Sequence, residues 1–267
     1  MMKPFLKWAG GKYRILNHIK GVLPAGKRLI EPFAGSGAVF LNTDYDTYLL
    51  ADANPDLINL YLQLQKKGPA FIDACEEYFT PEYNNEVAFY TLRDSFNASR
   101  SVRHKAALFV YLNRHCFNGL CRYNGKGKFN VPFGRYQAPY FPRKEMLAFH
   151  EKSKKAVIRL ADFRDTMDSA KAGDVVYCDP PYVPLSATAN FTDYASGGLG
   201  MKEQAELANK VKKLQARGVT VVISNHDTEF TQKAYAKAQI LSFKVQRFIS
   251  CDGANRGKAG EVLAVFA

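Results

Sequence analysis

The sequence predicts an α/β fold in which a sheet of short parallel strands is interrupted by a mostly helical, basic insertion. Three observations predict it. Four short apolar runs each stop at a polar residue or a Gly/Pro turn, as buried parallel strands do. Helical patterns lie between some of them. The third is the charge, which sits almost entirely in one stretch that breaks the strand pattern. The 267-residue chain holds 37 Lys and Arg against 25 acids, a net charge of +12. Residues 96–145 carry ten of those cations and one acid, Glu145, which leaves the other 217 residues at only +3. With 47% hydrophobic and 23% charged residues the chain can bury a sizeable core, and disorder is excluded.

Taken in order, the first strand is Leu29-Ile30, which runs into a Gly-rich turn. The second is Tyr48-Leu49-Leu50-Ala51, ending at Asp52. Residues 57–112 read as helical, Ala106 to Leu112 most plainly, and residues 113–142 are rich in Gly, Asn, Pro and aromatics, which predicts long shaped loops or a hairpin. A third strand, Asp174–Cys178, ends at Asp179, and a fourth, Val219–Ile223, ends at Ser224-Asn225. Between them Met201, Ala205, Leu207, Ala208, Val211 and Leu214 form the apolar face of a helix that Gly218 stops. Lys244–Ile249 and Val262–Phe266 resemble a closing antiparallel hairpin. Domain bounds follow: residues 1–56 and 143–267 form the sheet, and 57–142 the insertion. Ligands of such sheets bind beyond the carboxyl ends of the strands. Asp52, Asp179, Asn225 and the turn at 34–37 are therefore expected to share one crevice.

Several classes are set aside. Apolar runs fall short of the roughly 18 residues of a membrane span, and the N-terminal MMKPFLKWAGGKY lacks the apolar stretch of a signal peptide. The five cysteines show no C-x-x-C and no zinc spacing, so reduced thiols in a cytosol-like compartment are expected and no metal. The ten Phe and Tyr within 96–145 interleave with the cations there. That mixture suits a polyanion whose bases can be stacked, although charge alone is also common in plainly soluble proteins.

Three constellations carry chemistry. In Glu31-Pro32-Phe33-Ala34-Gly35-Ser36-Gly37 the glycines permit a tight strand-to-helix turn and close approach of a ligand to the backbone. Taken alone it is equally a plain turn, and Phe40 stands where G-x-G-x-x-G needs its third glycine, which lowers the dinucleotide reading. Asp52 can accept hydrogen bonds from both hydroxyls of a ribose, or simply cap a turn. Asp179-Pro180-Pro181-Tyr182, directly after a strand, is the most specific signal. Its prolines fix the backbone, so that the Asp179 side chain and the Pro180 carbonyl can receive the two hydrogens of an exocyclic amine. Adenine N6 is a poor nucleophile because its lone pair is delocalised, and such bonds localise the pair for in-line attack on a sulfonium methyl. Tyr182 supplies a face for stacking the base. The third is Lys7-Trp8-Ala9-Gly10-Gly11-Lys12, which holds the chain's only tryptophan and either brackets a cofactor or packs in the core.

Together these residues resemble the Dam-type DNA adenine-N6 methyltransferases of the α group, which modify GATC. The resemblance runs nearly end to end, on FLKWAGGK at 5–12, EPFAGSGAVFLN at 31–42, NGLCRYNGKGKFNVPFGRY at 118–136, VVYCDPPYVPLSATANFT at 175–192 and ISNHDT at 223–228. It implies a Rossmann-like S-adenosylmethionine-dependent methyltransferase sheet with a DNA-recognition insertion. The implied methyl donor is S-adenosyl-L-methionine, the product S-adenosyl-L-homocysteine, and the substrate a flipped adenine in double-stranded DNA. Trp8, Lys12, Phe33, Gly35, Gly37, Asp52 and Asp179 match cofactor positions, and Asp179, Pro180 and Tyr182 the catalytic ones. In the insertion Arg122 matches an arginine that reads a guanine, Leu120 and Pro132 contacts near the thymine, and Asn118 an intercalating or base-adjacent polar group. Lys7 matches a lysine near the outer guanine, and Arg114, Arg135 and Tyr136 complete the DNA-facing set. One departure stands out: Phe117 occupies a position where the family places tyrosine. An aromatic wedge can still insert between bases, but the phenolic hydrogen bond is lost.

The resemblance implies further a cytoplasmic monomer, nucleoid-associated in a bacterium or phage-encoded. RNA adenine and protein amide methyltransferases use related tetrapeptides on the same sheet, and a non-catalytic DNA-binding regulator could keep the fold. The basic insertion favours DNA, and the intact tetrapeptide and Gly loop argue against a mere binder. His104, His115 and His226 lack metal spacing and are expected solvated or packed. Arg256 and Lys258 are candidates for phosphate contact or for solvent.

Overall fold

A computed structural model describes residues 1–182, 199–246 and 258–267. Residues 183–192 of the fourth motif block, Arg247–Ile249 of the expected hairpin, Cys251 and Arg256 lie outside the described residues, as does the side chain of Lys258. The chain divides into two compact units. The first comprises Met1–Leu16, Gly35–Asp44 and Asp52–Leu160; the second comprises Asn17–Ala34, Tyr45–Ala51 and Ala161–Ala267.

The strands are β1 (Arg28–Glu31), β2 (Thr47–Asp52), β3 (Ala156–Leu160), β4 (Val175–Cys178), β5 (Thr220–His226), β6 (Gln239–Gln246) and β7 (Lys258–Phe266). They form one mixed seven-stranded sheet in the order β3-β2-β1-β4-β5-β7-β6. The four strands expected from the apolar runs are β1, β2, β4 and β5, and they pair in parallel. Leu29 stands opposite Val175 and Ile30 opposite Val176, so the chain order reverses between β1 and β4. Loops that leave neighbouring strands at such a reversal diverge and open a crevice. The antiparallel pair closes the other edge, but β6 starts at Gln239, before the expected Lys244. β3 was not expected.

The core of the second unit is built from Ile30, Leu49, Val176, Cys178, Val221 and Ile223 on the strands. Leu207, Val211 and Leu214 of the helix Met201–Gln215 and Phe163 and Met167 of the helix Phe163–Asp168 pack against them. Each such side chain, fully buried, contributes about 1.5–3 kcal/mol. The Met201–Gln215 helix departs from its expected face. Met201 and Ala205 are exposed, and the polar Gln204 is buried beside Leu207.

The first unit is mostly helical. Asn54 opens the helix Pro55–Lys67 by accepting the backbone N–H groups of Asp56 and Leu57, and Pro55 sits at the first turn, where its missing donor costs nothing. Gly68 ends it at φ +48°, where a Cβ would meet the His150 ring at 2.6 Å. The helices Pro69–Glu76, Glu86–Ala98, Val102–His115 and Arg143–Ser153 follow. Residues Ala106–Asn113 are buried on every side, as in a helix enclosed by its neighbours. The segment after it is a hairpin, with antiparallel bridges Cys116–Phe133 and Tyr123–Phe129 and a turn at Asn124–Lys128. Among the described residues no helix is long and apolar enough to cross a membrane.

Candidate active site

In the second unit, Asp179 is the first residue past β4 and is half-buried. Its Oδ1 accepts a hydrogen bond from Ser224 Oγ at 3.1 Å, and the Ser224 hydroxyl also meets Tyr177 Oη at 3.0 Å. Ser224 is fully buried on β5. Pro180 is buried, and the carbonyl of Pro181 accepts from Gln204 Nε2 at 2.6 Å. Gln204 Oε1 in turn accepts from Asn225 Nδ2 at 3.2 Å, so two fully buried amides brace the tetrapeptide from the helix and from β5. Asn225 thus helps to shape this loop through Gln204. The Tyr182 hydroxyl donates to Glu261 Oε2 at 3.3 Å, and its ring meets His226 edge-on at 4.5 Å. Burial, then the charges of Asp179 and Glu261, push the Tyr182 phenol well above its usual range. Phe33 belongs to this unit and stacks on Phe163 at 5.4 Å.

The first unit holds the other expected cofactor residues. Asp52 Oδ2 accepts the Gly35 N–H at 3.0 Å and Oδ1 the Asn54 N–H at 2.9 Å. Burial raises its pKa, opposed by backbone N–H groups of Asn54, Gly35 and Ala53. Gly35 has φ +47°, and a Cβ there would lie 3.0 Å from the indole Nε1 of Trp8. A side chain there would be strained and would press on the indole, which closes directly on the glycine backbone. Gly37, at φ +70°, opens the helix Ala38–Asn42. Lys12 is buried and its Nζ donates to the Gly10 carbonyl. An acid at a strand end, a tight left-handed glycine turn and a half-buried indole suit a nucleoside with hydroxyls to bind. An ionised carboxylate offers about four acceptor sites, more than these amides consume.

The expected DNA contacts cluster on the hairpin. Phe117 and Pro132 are exposed, and Leu120 is half-buried. Asn118 is left-handed at φ +54°, and its N–H donates to Tyr136 Oη at 3.0 Å. Lys7 Nζ lies 4.0 Å over the Tyr136 ring, and burial lowers its pKa. Arg122 is exposed, with Nε donating to Asn130 Oδ1 at 2.8 Å. Arg135 is exposed and pairs with Glu86 at 3.1 Å. Arg114 differs, being turned inward to the carbonyls of Tyr140 at 3.0 Å and Phe5 at 3.4 Å.

A family model for D12 class N6 adenine-specific DNA methyltransferases matches residues 8–249. The chain belongs to that family. It is 52% identical over 265 residues to a DNA adenine methylase of Serratia marcescens, covering 99% of this chain and 98% of the relative. It is 48% identical to those of Vibrio cholerae, with 99% and 96% covered, and Escherichia coli K12, with 99% and 95% covered. As a D12 class methyltransferase it is an enzyme that methylates adenine in DNA, with S-adenosyl-L-methionine as methyl donor.

Sequence reasoning about this methyltransferase missed Ser224 and Gln204 as partners of the tetrapeptide. Ser224 lies inside the quoted ISNHDT block, so its place just past the expected run Val219–Ile223 was a usable signal. Gln204 gave none, since a glutamine on an amphipathic helix reads as a solvent-facing residue. The buried Asp56 was missed as well, where Tyr123 and Lys105 converge at 2.7 Å each.

Proposed function

We propose that this D12 class methyltransferase acts on the adenine of GATC in duplex DNA. The observation that carries the reading is the Asp179 carboxylate, held by a buried serine at the head of Asp179-Pro180-Pro181-Tyr182. Trp8, Lys12, Phe33, Gly35, Gly37, Asp52 and Asp179 would hold S-adenosyl-L-methionine, which supplies a methyl group on an electrophilic sulfonium. The adenine leaves the stack at a cost of a few kcal/mol. Asp179 and the Pro180 carbonyl accept the two N6 hydrogens, which localises the nitrogen lone pair. Ser224 keeps the carboxylate from rotating away, and the Tyr182 ring offers the base a face.

Residues 57–142 serve as the target-recognition part. Arg122 reads one guanine, Lys7 approaches the other, and Leu120 and Pro132 meet the thymine. Phe117 or Asn118 fills the gap left by the adenine. Arg135 and Tyr136 support the backbone or the bases, while Arg114 braces the carbonyls of Tyr140 and Phe5. The enzyme works as a cytoplasmic monomer on the nucleoid, without a metal, since the sulfonium is already activated. The test is expression in a host free of adenine methylation. Its DNA is then cut with one nuclease specific for methylated GATC and one blocked by that methylation. Cleavage by the first and protection from the second supports the reading; the reverse pattern overturns it.

A further inference from the structure

We infer that Asn54 and Asp56 position Arg122 by clamping its two chain neighbours, Cys121 and Tyr123, to the start of the helix Pro55–Lys67. The inference rests on the reading of Arg122 as a guanine contact. Arg122 itself is exposed, and its bonds run to Asn130, at 2.8 Å to Oδ1 and 3.3 Å to the carbonyl, on the same hairpin. Nothing in those bonds fixes the hairpin in the unit.

The flanking residues do. Tyr123 Oη donates to Asp56 Oδ2 at 2.7 Å, and Asn54 Nδ2 donates to Cys121 Sγ at 3.5 Å. Asp56 is only 7% exposed, and its other oxygen receives Lys105 Nζ at 2.7 Å. A hydrogen bond to an ionised carboxylate is roughly twice as strong as a neutral one. The Tyr123 ring is further held edge-on by Phe129 at 5.9 Å. The turn that supplies both anchors also contains Asp52, whose Oδ1 accepts the Asn54 N–H. A bidentate grip on guanine needs the guanidinium within about half an ångström of its place. Fixing the backbone on both sides of Arg122 meets that need, which a flexible side chain on a free loop would not.

The test is the ratio of kcat/KM on GATC to kcat/KM on a site with the contacted guanine replaced. Any loss of folded enzyme cancels in this ratio, so a purely stabilising role leaves it unmoved. Tyr123→Phe and Asp56→Asn are each expected to lower it about tenfold, and Tyr123→Phe to lower it no further when Arg122→Ala is already present. If Asp56→Asn fails to fold, Tyr123→Phe carries the test, since it keeps the ring and removes one oxygen. If Arg122→Ala lowers the ratio while Tyr123→Phe leaves it unchanged, or if the two effects multiply, the clamp is overturned and the guanine contact stands. If Arg122→Ala leaves the ratio unchanged, the guanine contact falls and the clamp with it.

Discussion

The Ser224 hydroxyl donates to Asp179 Oδ1 across 3.1 Å, joining a fully buried residue of β5 to the first residue past β4. Cys178 stands opposite Ile223 in the parallel ladder, so each strand delivers its polar residue one step beyond the same rung. The sheet thereby contributes to the orientation of the carboxylate.

Removing each partner separates the two roles. Asp179→Ala abolishes methyl transfer and leaves DNA binding in gel-shift titrations near wild type. Ser224→Ala lowers kcat about 10- to 100-fold, the worth of one hydrogen bond to a charged group, with KM for the methyl donor nearly unchanged. A Ser224→Ala enzyme with wild-type kcat would show that the carboxylate needs no such support.

If Trp8 lines the cofactor site as proposed, the single tryptophan reports binding. Trp8 closes over Gly35, so titrating S-adenosyl-L-homocysteine without DNA changes its fluorescence. Gly35→Ala weakens the binding read from that titration, because a left-handed alanine costs about 1–2 kcal/mol and its methyl displaces the indole. Unaltered emission at saturating ligand would remove Trp8 from the cofactor site.

Arg122→Ala relaxes discrimination at one guanine by about 1–3 kcal/mol and spares the other positions of the site. Competitive methylation of duplexes substituted at each base reads this directly. An equal loss at every position would mark Arg122 as a phosphate contact instead.

His115 makes the first unit sensitive to acid. It is 1% exposed, stacks on Tyr111 at 4.0 Å and donates from Nδ1 to the Tyr111 carbonyl. Burial first, with Lys7 and Arg114 nearby, lowers its pKa from 6.5 to about 4, against a smaller upward pull from that carbonyl. The unfolded chain therefore binds the extra proton between these values. The stabilising contribution is whole above about pH 6.5 and is lost as pH falls toward 4, about 3 kcal/mol in all. Urea titrations at pH 7.5 and pH 5 measure the loss, and His115→Phe is expected to flatten that part of the slope.

The parallel strands were legible because β-branched runs ending at Gly, Asp or Asn have few other uses in a globular chain. The tetrapeptide was legible for the same reason, its Asp and prolines falling where a strand must end. β3 was not, since only Ile158 of its five residues is buried and the segment shows no alternation. The early start of β6 was hidden by Gln239 and by exposed Leu241, an apolar residue that buries little. Met201 and Ala205 were assigned to a helix face by periodicity, which cannot see that Gln204 finds two polar partners inside. The anchors of the hairpin were invisible for a simpler reason. Tyr123 meets Asp56 and Cys121 meets Asn54 across 67 residues of sequence each, and no local pattern encodes such a meeting.

Asn113 holds the Lys7 peptide at both ends, accepting its N–H at 2.9 Å and donating to its carbonyl at 2.7 Å, from 106 residues further along. During synthesis the Lys7 segment emerges well before Asn113 and must wait for that later helix. Until then it trails from the ribosome with Phe5, Leu6 and Trp8 uncovered, a stretch for chaperones to shield.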